Sequence, residues 1–364
     1  MRYALIMAGG AGSRLWPMST PQRPKQLAPL FSGRSLLDLA VERLTGLIDP
    51  SSQLICAAET HRQIIRRTVP HISDDQYFGE PMGRDTLNAI GLPAAVLASQ
   101  DPDATLAAFT ADHLIDPVDV FQDHVRTAFD IVEQQPNTLV TFGITPTEPA
   151  TGYGYVELDQ PLDGFDRAHQ VATFKEKPDG ATAQAYLESG RHLWNSGMFV
   201  WRAATLIDCI RRYQPEAHAA LMRIAEAWPT ADRLTVLNDI YPTLPKISID
   251  YAVMEPAAAE EAVTVATVAM PVNWLDVGSW PNYAATREPD AQGNTVTAPA
   301  AALLDSSRNL IVSDDPDHVI AAVAINDLIV IHTVDATLIC PRDQAQRVKE
   351  LAELVQRRGD TTAE

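Results

Sequence analysis

Between residues 3 and 142 the chain alternates short apolar runs with longer helical patterns, and that alternation leaves few architectures open. Tyr3–Met7, Leu54–Ala57, Tyr77–Gly79, Thr105–Phe109 and Thr138–Phe142 have the length and content of strands. The stretches between them read as helices: one over 36–44, then Thr60–Val69, the Ala-rich Thr86–Ser99, and Val118–Gln134. Ser35 opens the first in S-L-L-D, with Asp38 at the fourth position, a start resembling a capping box. Strands and helices in this order predict right-handed βαβ crossovers and an α/β fold, its mostly parallel sheet flanked by helices. In such sheets ligands sit beyond the carboxyl ends of the strands. That is where the unusual residues of this chain recur.

After about residue 290 the pattern changes. Segments 294–315 and 319–340 hold short β-type runs broken by Asn and Asp, which predicts a small all-β unit without a clean sequence repeat. Asp343 then starts a terminal helix in which Val348, Leu351, Ala352 and Val355 fall at i, i+3, i+4 and i+7, with Gly359 as its expected stop. Two domains are therefore expected, 1–287 and 288–364. No chemical motif lies in the second, whose reading is structural: packing or self-association.

The first strand runs into 7-MAGGAGSRLWPMSTPQRPKQ-26. Gly9, Gly10 and Gly12 lack a Cβ and let backbone N–H groups approach a ligand closely. Arg14 and Lys25 follow. The net charge is −19, which argues against general nucleic-acid or anionic-membrane binding. Yet residues 1–37 carry Arg2, Arg14, Arg23, Lys25 and Arg34 and no Asp or Glu. A cationic island beside glycines suits a small, highly charged anion such as a polyphosphate; chance clustering of solvated cations is the alternative. The loop is neither a Walker A motif nor a dinucleotide fingerprint, because Leu15 stands where the third glycine would be. Cys56, Cys209 and Cys340 are isolated, odd in number and without metal spacing, so buried thiols in a reducing cytoplasm are expected. The N-terminal MRYALIM lacks the pattern of a signal peptide, and no apolar run reaches membrane-span length.

The longer string G-G-x-G-[ST]-R-L-x-P followed by P-K-Q resembles the signature loop of the sugar-1-phosphate nucleotidylyltransferases. Trp16–Pro17 and the Gln22–Gln26 segment bring it nearest to the mannose-1-phosphate guanylyltransferases. The resemblance implies a Rossmann-like domain, a short left-handed β-helix at the C-terminus that often supports dimers, and a Mg²⁺ requirement. Longer members append a cupin-type isomerase domain, which this chain is expected to lack.

Physical chemistry gives the loop residues tasks. Nucleotidyl transfer requires a triphosphate's charge to be neutralised and its α-phosphorus placed in line with the attacker. Ala8, Gly9, Gly10, Gly12 and Ser13 are candidates to hold the nucleotide through the backbone, with Arg14 a planar fork for phosphate oxygens. Lys25 is a point charge for the leaving pyrophosphate, on a segment stiffened by Pro21 and Pro24. A sugar 1-phosphate is already an anion, so no general base is needed, and none stands out. Asp112, after the strand Thr105–Phe109, and Asp276, in 274-WLDVGSW-280, supply oxygen ligands. The resemblance implies that they share the metal, with Asp112 also near the nucleotide; taken alone, Asp112 could cap a helix and Asp276 a turn. His113 reads as packing or orienting. In 151-TGYGY-155, 174-FKEKPD-179 and 194-WNSGMF-199 the resemblance places Gly152, Glu176, Lys177 and Asn195 in a sugar-phosphate pocket. Asp250 in 248-SIDYAVME-255 either takes a sugar hydroxyl or caps a helix. The string 80-EPMGRDT-86 is similar to the E-P-x-x-R-N-T of guanylyltransferases, making Glu80 the candidate reader of guanine and Arg84 a phosphate or loop contact. Asp85 departs from that pattern and is a candidate helix cap.

The expectation is a cytoplasmic, homodimeric enzyme joining mannose 1-phosphate to GTP with Mg²⁺, giving GDP-mannose and pyrophosphate. Three rivals stay open: another sugar 1-phosphate (a manno-heptose or glucose) or nucleotide, a catalytically silent nucleotide-sugar sensor, and a glycosyltransferase. A silent sensor tends to lose Arg14, Lys25, Asp112 or Asp276, all present here. A glycosyltransferase needs a D-x-D after a strand, and Asp101-Pro102-Asp103 precedes one.

Overall fold

Nine strands join in one sheet, ordered β3-β2-β1-β4-β9-β6-β10-β8-β7, in the computed structural model, which describes residues 1–10, 12–260 and 262–362, the side chains of 359–362 aside. They are β1 Arg2–Met7, β2 Gln53–Ala58, β3 Tyr77–Glu80, β4 Thr105–Thr110, β6 Thr138–Ile144, β7 Gly154–Leu162, β8 Phe165–Lys175, β9 His192–Arg202 and β10 Thr264–Ala269. Two short strands, β5 His113–Asp116 and β11 Asn273–Asp276, pair separately. Every strand expected from the sequence forms. Strands β1, β2, β3 and β4 pair in parallel, as do β6 and β10, whereas β8 and β9 run against the rest. The mostly parallel, helix-flanked α/β fold expected from the alternation is therefore the fold found, with an antiparallel insertion at β9 that the alternation does not announce.

The helices follow their patterns closely. Val118–Gln134 buries Phe121, Val125, Ala128, Phe129 and Val132, one face at helical spacing. Each buried Phe contributes about 2 kcal/mol over exposure. Thr86–Gln100 is buried nearly all round from Leu87 to Leu97. Gly91 lies close to Leu221 of the helix Pro215–Ala227, where an added Cβ would come within 2.8 Å of the Leu221 Cδ1. Asp85 caps this helix, its Oδ1 accepting from the Thr86 N–H at 2.8 Å, as the sequence allowed. Helix 36–44 stops at Glu42, and a 3₁₀ turn at Glu59–His61 takes the start of the expected Thr60–Val69 helix.

The chain divides into two compact units. The first is Met1–Gly9, Asp38–Ala111 and Ile115–Trp274, containing the large sheet. The second is Gly10–Leu37, Asp112–Leu114 and Leu275–Glu364. In the second, β12 Thr295–Thr297, β14 Leu310–Ser313, β16 Leu328–His332 and β17 Thr337–Pro341 form one sheet, and β13 Ala300–Leu304 and β15 Val319–Val323 another. Leu310 pairs with Ile329, Ala300 with Val319 and Ser307 with Asn326, each in parallel at an offset of 19 residues. Stacked rungs are thus present although no repeat is visible in the sequence. The backbone repeats instead: Asp305 and Ala324, and Arg308 and Asp327, take positive φ at the same offset. The terminal helix runs Val348–Thr362 and passes through Gly359, which does not stop it. A glycine inside a helix costs only about 1 kcal/mol. Cys56 and Cys209 are buried, but Cys340 is only half-buried. Among the described residues, no helix is long and apolar enough to cross a membrane.

The core of the second unit joins the opening loop to the β rungs. Leu15, Met18, Ala28, Leu30 and Leu36 pack in one cluster with Val277, Trp280, Tyr283, Leu310, Val312, Ile329 and Ile331. Trp280 Nε1 donates to the Trp16 carbonyl at 3.0 Å, and the Tyr283 hydroxyl to that of Leu30 at 3.1 Å. The loop bearing Lys25 is therefore part of a packed core.

Candidate active site

In the second unit the glycine loop tightens through backbone conformations that favour glycine, with φ of 101° at Gly10 and 58° at Gly12. A Cβ on Gly12 would stand 2.6 Å from the Lys25 Cβ and 2.9 Å from the Ser19 Oγ. The loop turns back against Lys25 because nothing projects from Gly12. Gly12 caps a 3₁₀ turn, Ser13–Leu15, and Pro24 precedes a second, Lys25–Leu27, where the Leu27 N–H bonds the Pro24 carbonyl.

Lys25 is 8% exposed, and its ammonium lies 2.6 Å from Asp112 Oδ2, 3.8 Å from Asp276 Oδ1 and 3.4 Å from the Val277 carbonyl. The sequence-predicted Lys25, Asp112 and Asp276 are brought together. Burial pushes the Asp112 carboxyl up, but the Lys25 ammonium, His113 and the Lys25 hydrogen bond outweigh it and hold the group below its ordinary range. Asp112 is not a helix cap, since Pro117 precedes the helix at Val118 without a side-chain cap. Ligand atoms of Asp112, His113 and Asp276 lie within 4.8 Å of one another. Asp276 Oδ1 is buried and accepts no hydrogen bond. Two carboxylates, one with an oxygen that no donor satisfies, fit a hard divalent cation. His113 stands beside them, its Nε2 3.9 Å from Asp112 Oδ1. Arg14 is not part of this cluster: it is exposed and its Nη1 donates to Gln346 Oε1 at 3.2 Å.

In the first unit, β1 leads into Ala8, whose N–H bonds the Cys56 carbonyl at 2.8 Å, and then Gly9. A Cβ on Gly9 would sit 3.7 Å from Glu80 Oε2. Glu80 ends β3 and is 7% exposed. Its Oε1 accepts from the Tyr241 hydroxyl at 2.6 Å. Burial pushes the Glu80 carboxyl up, and the Tyr241 hydroxyl and the Arg84 backbone N–H offset part of that. Burial also pushes the Tyr241 phenol well above its ordinary value, so it serves as a donor. The Arg84 guanidinium donates to the Pro242 carbonyl, a loop contact. Tyr241 has no local motif that would reveal it.

A second polar cluster of the first unit draws on residues within β6 and β9, the start of β7 and the turn after β8. Asn195 Oδ1 accepts from the Thr141 hydroxyl at 2.7 Å, and its Nδ2 donates to Asp250 Oδ1 at 2.8 Å. The Lys177 ammonium pairs with Glu176 from a positive-φ backbone, φ 46°. Burial lowers the Lys177 pKa, but bonding to Glu176 and the charges of Glu176 and Asp250 raise it overall. The Glu176 N–H donates to Glu255 Oε1 at 2.8 Å. Glu176, Lys177, Asn195 and Asp250 are thus gathered as the sequence suggested, and Asp250 is a side-chain partner rather than a helix cap. Gly152 faces open space. Gly154 is the constrained glycine, since a Cβ there would fall 2.4 Å from Glu176 Oε2 and 3.3 Å from the Asn195 Cβ. Thr141, Gly154 and Glu255 were not singled out from sequence; only Gly154, within T-G-Y-G-Y, had a visible signal.

Asp250 is buried, and burial followed by the Glu176 charge pushes its carboxyl up to about 7. An unfolded Asp titrates near 4, so between about 4 and 7 the fold holds a proton that the unfolded chain has lost. Stability then falls as pH rises through that window. Asp250→Asn removes this term while keeping an acceptor for Asn195. Its stability relative to wild type should rise by on the order of 2 kcal/mol between pH 5 and pH 8. Melting curves at both pH values check this, and a gap independent of pH would mean that Asp250 is ionised in the fold throughout.

A family model described as nucleotidyl transferase matches residues 3–293, and one described as the MannoseP isomerase/GMP-like beta-helix domain matches 301–355. The mannose-1-phosphate guanylyltransferase of Klebsiella pneumoniae is 36% identical over 98% of this chain and 74% of its own length. The enzyme of the same name from Escherichia coli K12 is 35% identical over 98% and 74%. A solved structure described as mannose-1-phosphate geranyltransferase, from Thermus thermophilus, is similar with a TM-score of 0.85 at 32% identity, covering 98% of this chain and 99% of that one.

Proposed function

The chain belongs to the nucleotidyl transferase family, in its mannose-1-phosphate guanylyltransferase branch, and from that premise we propose that it transfers GMP from GTP to α-D-mannose 1-phosphate. A phosphate oxygen of the sugar phosphate attacks the α-phosphorus. The bond from the α-phosphorus to the α–β bridging oxygen breaks, and GDP-mannose and pyrophosphate leave. The observation that carries this reading is the buried Lys25 ammonium held between two carboxylates on a glycine-gated loop.

In this reading backbone N–H groups of Ala8, Gly9, Gly10, Gly12 and Ser13 hold the nucleotide, Lys25 meets charge on the α-phosphate and the leaving pyrophosphate, and Arg14 swings from Gln346 to the phosphates. Asp112 and Asp276 would hold a divalent ion, Mg²⁺, which supplies charge neutralisation to the triphosphate. Glu176, Asn195 and Asp250 receive mannose hydroxyls, beside Gly152, and Lys177 receives its phosphate. We further assign residues 1–287 as the catalytic domain and 288–364 as the β-helix-like domain. We also propose a homodimer, supported by the exposed Leu304, Val319, Val323 and Ile339 of the rungs, and a cytoplasmic location, where nucleoside triphosphates are supplied.

Glu80 is the proposed guanine reader. Tyr241 donates to its Oε1 and the Arg84 backbone N–H also bonds the carboxyl; its Oε2, beside Gly9, is the oxygen we assign to accept from the base N1–H and exocyclic amine. The test is pyrophosphate release with mannose 1-phosphate and Mg²⁺, offering ATP, GTP, CTP, UTP and dTTP separately. GTP alone should support turnover. Glu80→Gln should narrow the preference for GTP by about ten- to hundredfold, the value of a charged hydrogen bond. Release with another nucleotide would move the base assignment elsewhere, and release with none would return the chain to other sugar phosphates or to the sensor reading.

A further inference from the structure

We propose that the β rungs carry a second cation site, for a first-row transition metal such as Zn²⁺, formed by Asp315, His318 and His332. The site is independent of the nucleotidyl-transfer reading. The 19-residue rung assembles it: His332 ends β16 and pairs with Ser313 at the end of β14. The chain then turns through Asp315 and His318 into β15. One ligand atom from each of the three residues lies within 4.8 Å of the others. His332 Nε2 is 3.7 Å from Asp315 Oδ2, and the two imidazoles stack at 3.7 Å between centroids and 19° between planes.

The surrounding bonds turn one nitrogen of His332 and one oxygen of Asp315 toward each other. His332 Nδ1 lies 2.8 Å from the Thr337 hydroxyl, so with the proton on Nδ1 the Nε2 lone pair faces Asp315. Asp315 Oδ1 is taken by the Asp317 N–H at 3.0 Å, and Oδ2 is the oxygen turned to the histidine. Asp315 and His332 are half-buried, with side chains 23% and 15% exposed, while His318 is exposed and closes the site from outside. Bonds of about 2.0–2.2 Å to zinc require the ligand atoms to draw in by roughly 1 Å and the His318 ring to turn out of its stack so that its in-plane lone pair meets the ion, a rotation open to an exposed side chain. Two imidazoles and one carboxylate select zinc, nickel or cobalt over magnesium, unlike the carboxylates at Lys25. Three protein ligands leave a position for water, and the ion would clip the turn before β15 to the end of β16.

The test is Zn²⁺ titration of metal-free protein by calorimetry, in wild type and in His318→Ala, Thr337→Val and Asp276→Ala, with melting curves for each. Asp276→Ala, which removes a ligand from the other divalent-cation cluster, should retain one equivalent of Zn²⁺ with the affinity of one wild-type equivalent, and Zn²⁺ should raise the melting temperature of both proteins. His318→Ala, at an exposed position that leaves folding intact, should weaken binding more than tenfold and abolish the shift. Thr337→Val, which removes only the hydroxyl behind His332, should weaken it about tenfold. Zn²⁺ binding unchanged in His318→Ala, lost in Asp276→Ala, or undetectable in wild type would overturn the assignment. In that event the three residues are an ion pair with a stacked ring.

Discussion

Lys25→Ala should lower turnover by about 10³-fold, the scale of removing one preorganised charge from a phosphoryl- or acyl-transfer site. Its cost should also appear in the ligand-free protein. The ammonium is the ion-pair partner of Asp112 at 2.6 Å, and it donates to the Val277 carbonyl. Without it the half-buried Asp112 carboxylate loses its counter-charge, a loss of about 2 kcal/mol. The sign with pH follows from Asp112 being held below its ordinary range. A depressed carboxyl contributes stability above the unfolded value near 4 and loses it as pH falls further. The melting gap between wild type and Lys25→Ala should therefore be wide at pH 8 and close below about pH 4. Steady-state pyrophosphate release and pH-dependent melting measure the two effects separately. Turnover within tenfold of wild type would remove Lys25 from the chemistry.

What the sequence disclosed and what it withheld divide along a physical line. Lys25, Asp112 and Asp276 were legible because each sits in a short string of unusual composition, Asp112 just after a strand, where an α/β sheet presents ligands. The strand–helix alternation of residues 3–142 was equally legible, because periodicity of apolar residues is a local signal. Tyr241 was not. Its partner Glu80 is 161 positions away, and Y-P-T carries no pattern of its own. Thr141 meets Asn195 through the antiparallel pairing of β6 with β9, which neither segment announces alone. The 19-residue register escaped for a different reason. Asp305 and Ala324 share a positive φ, as do Arg308 and Asp327, so the repeat lies in the backbone and not in the side chains. Gly359 shows the converse, a strong letter overruled by a helix that continues.

Asp276→Ala should match the catalytic loss of Lys25→Ala, about 10³-fold, yet leave the ligand-free protein no less stable than wild type. The difference lies in what each side chain has for partners. Asp276 Oδ1 is buried, accepts no hydrogen bond and has the Lys25 ammonium only at 3.8 Å, so it bears a desolvation cost with little return. Lys25 keeps its closer partner Asp112 when Asp276 is removed. A carboxylate oxygen left without a donor in the resting fold is placed to act in the loaded state. Adding Mg²⁺ to the ligand-free chain should raise the melting temperature of wild type but not of Asp276→Ala. If the variant melts well below wild type and still responds to Mg²⁺, Asp276 holds the turn 276–280 together and the ion is bound elsewhere. If it melts at or above wild type, ignores Mg²⁺ and turns over about 10³-fold more slowly, the unsatisfied oxygen is the ligand.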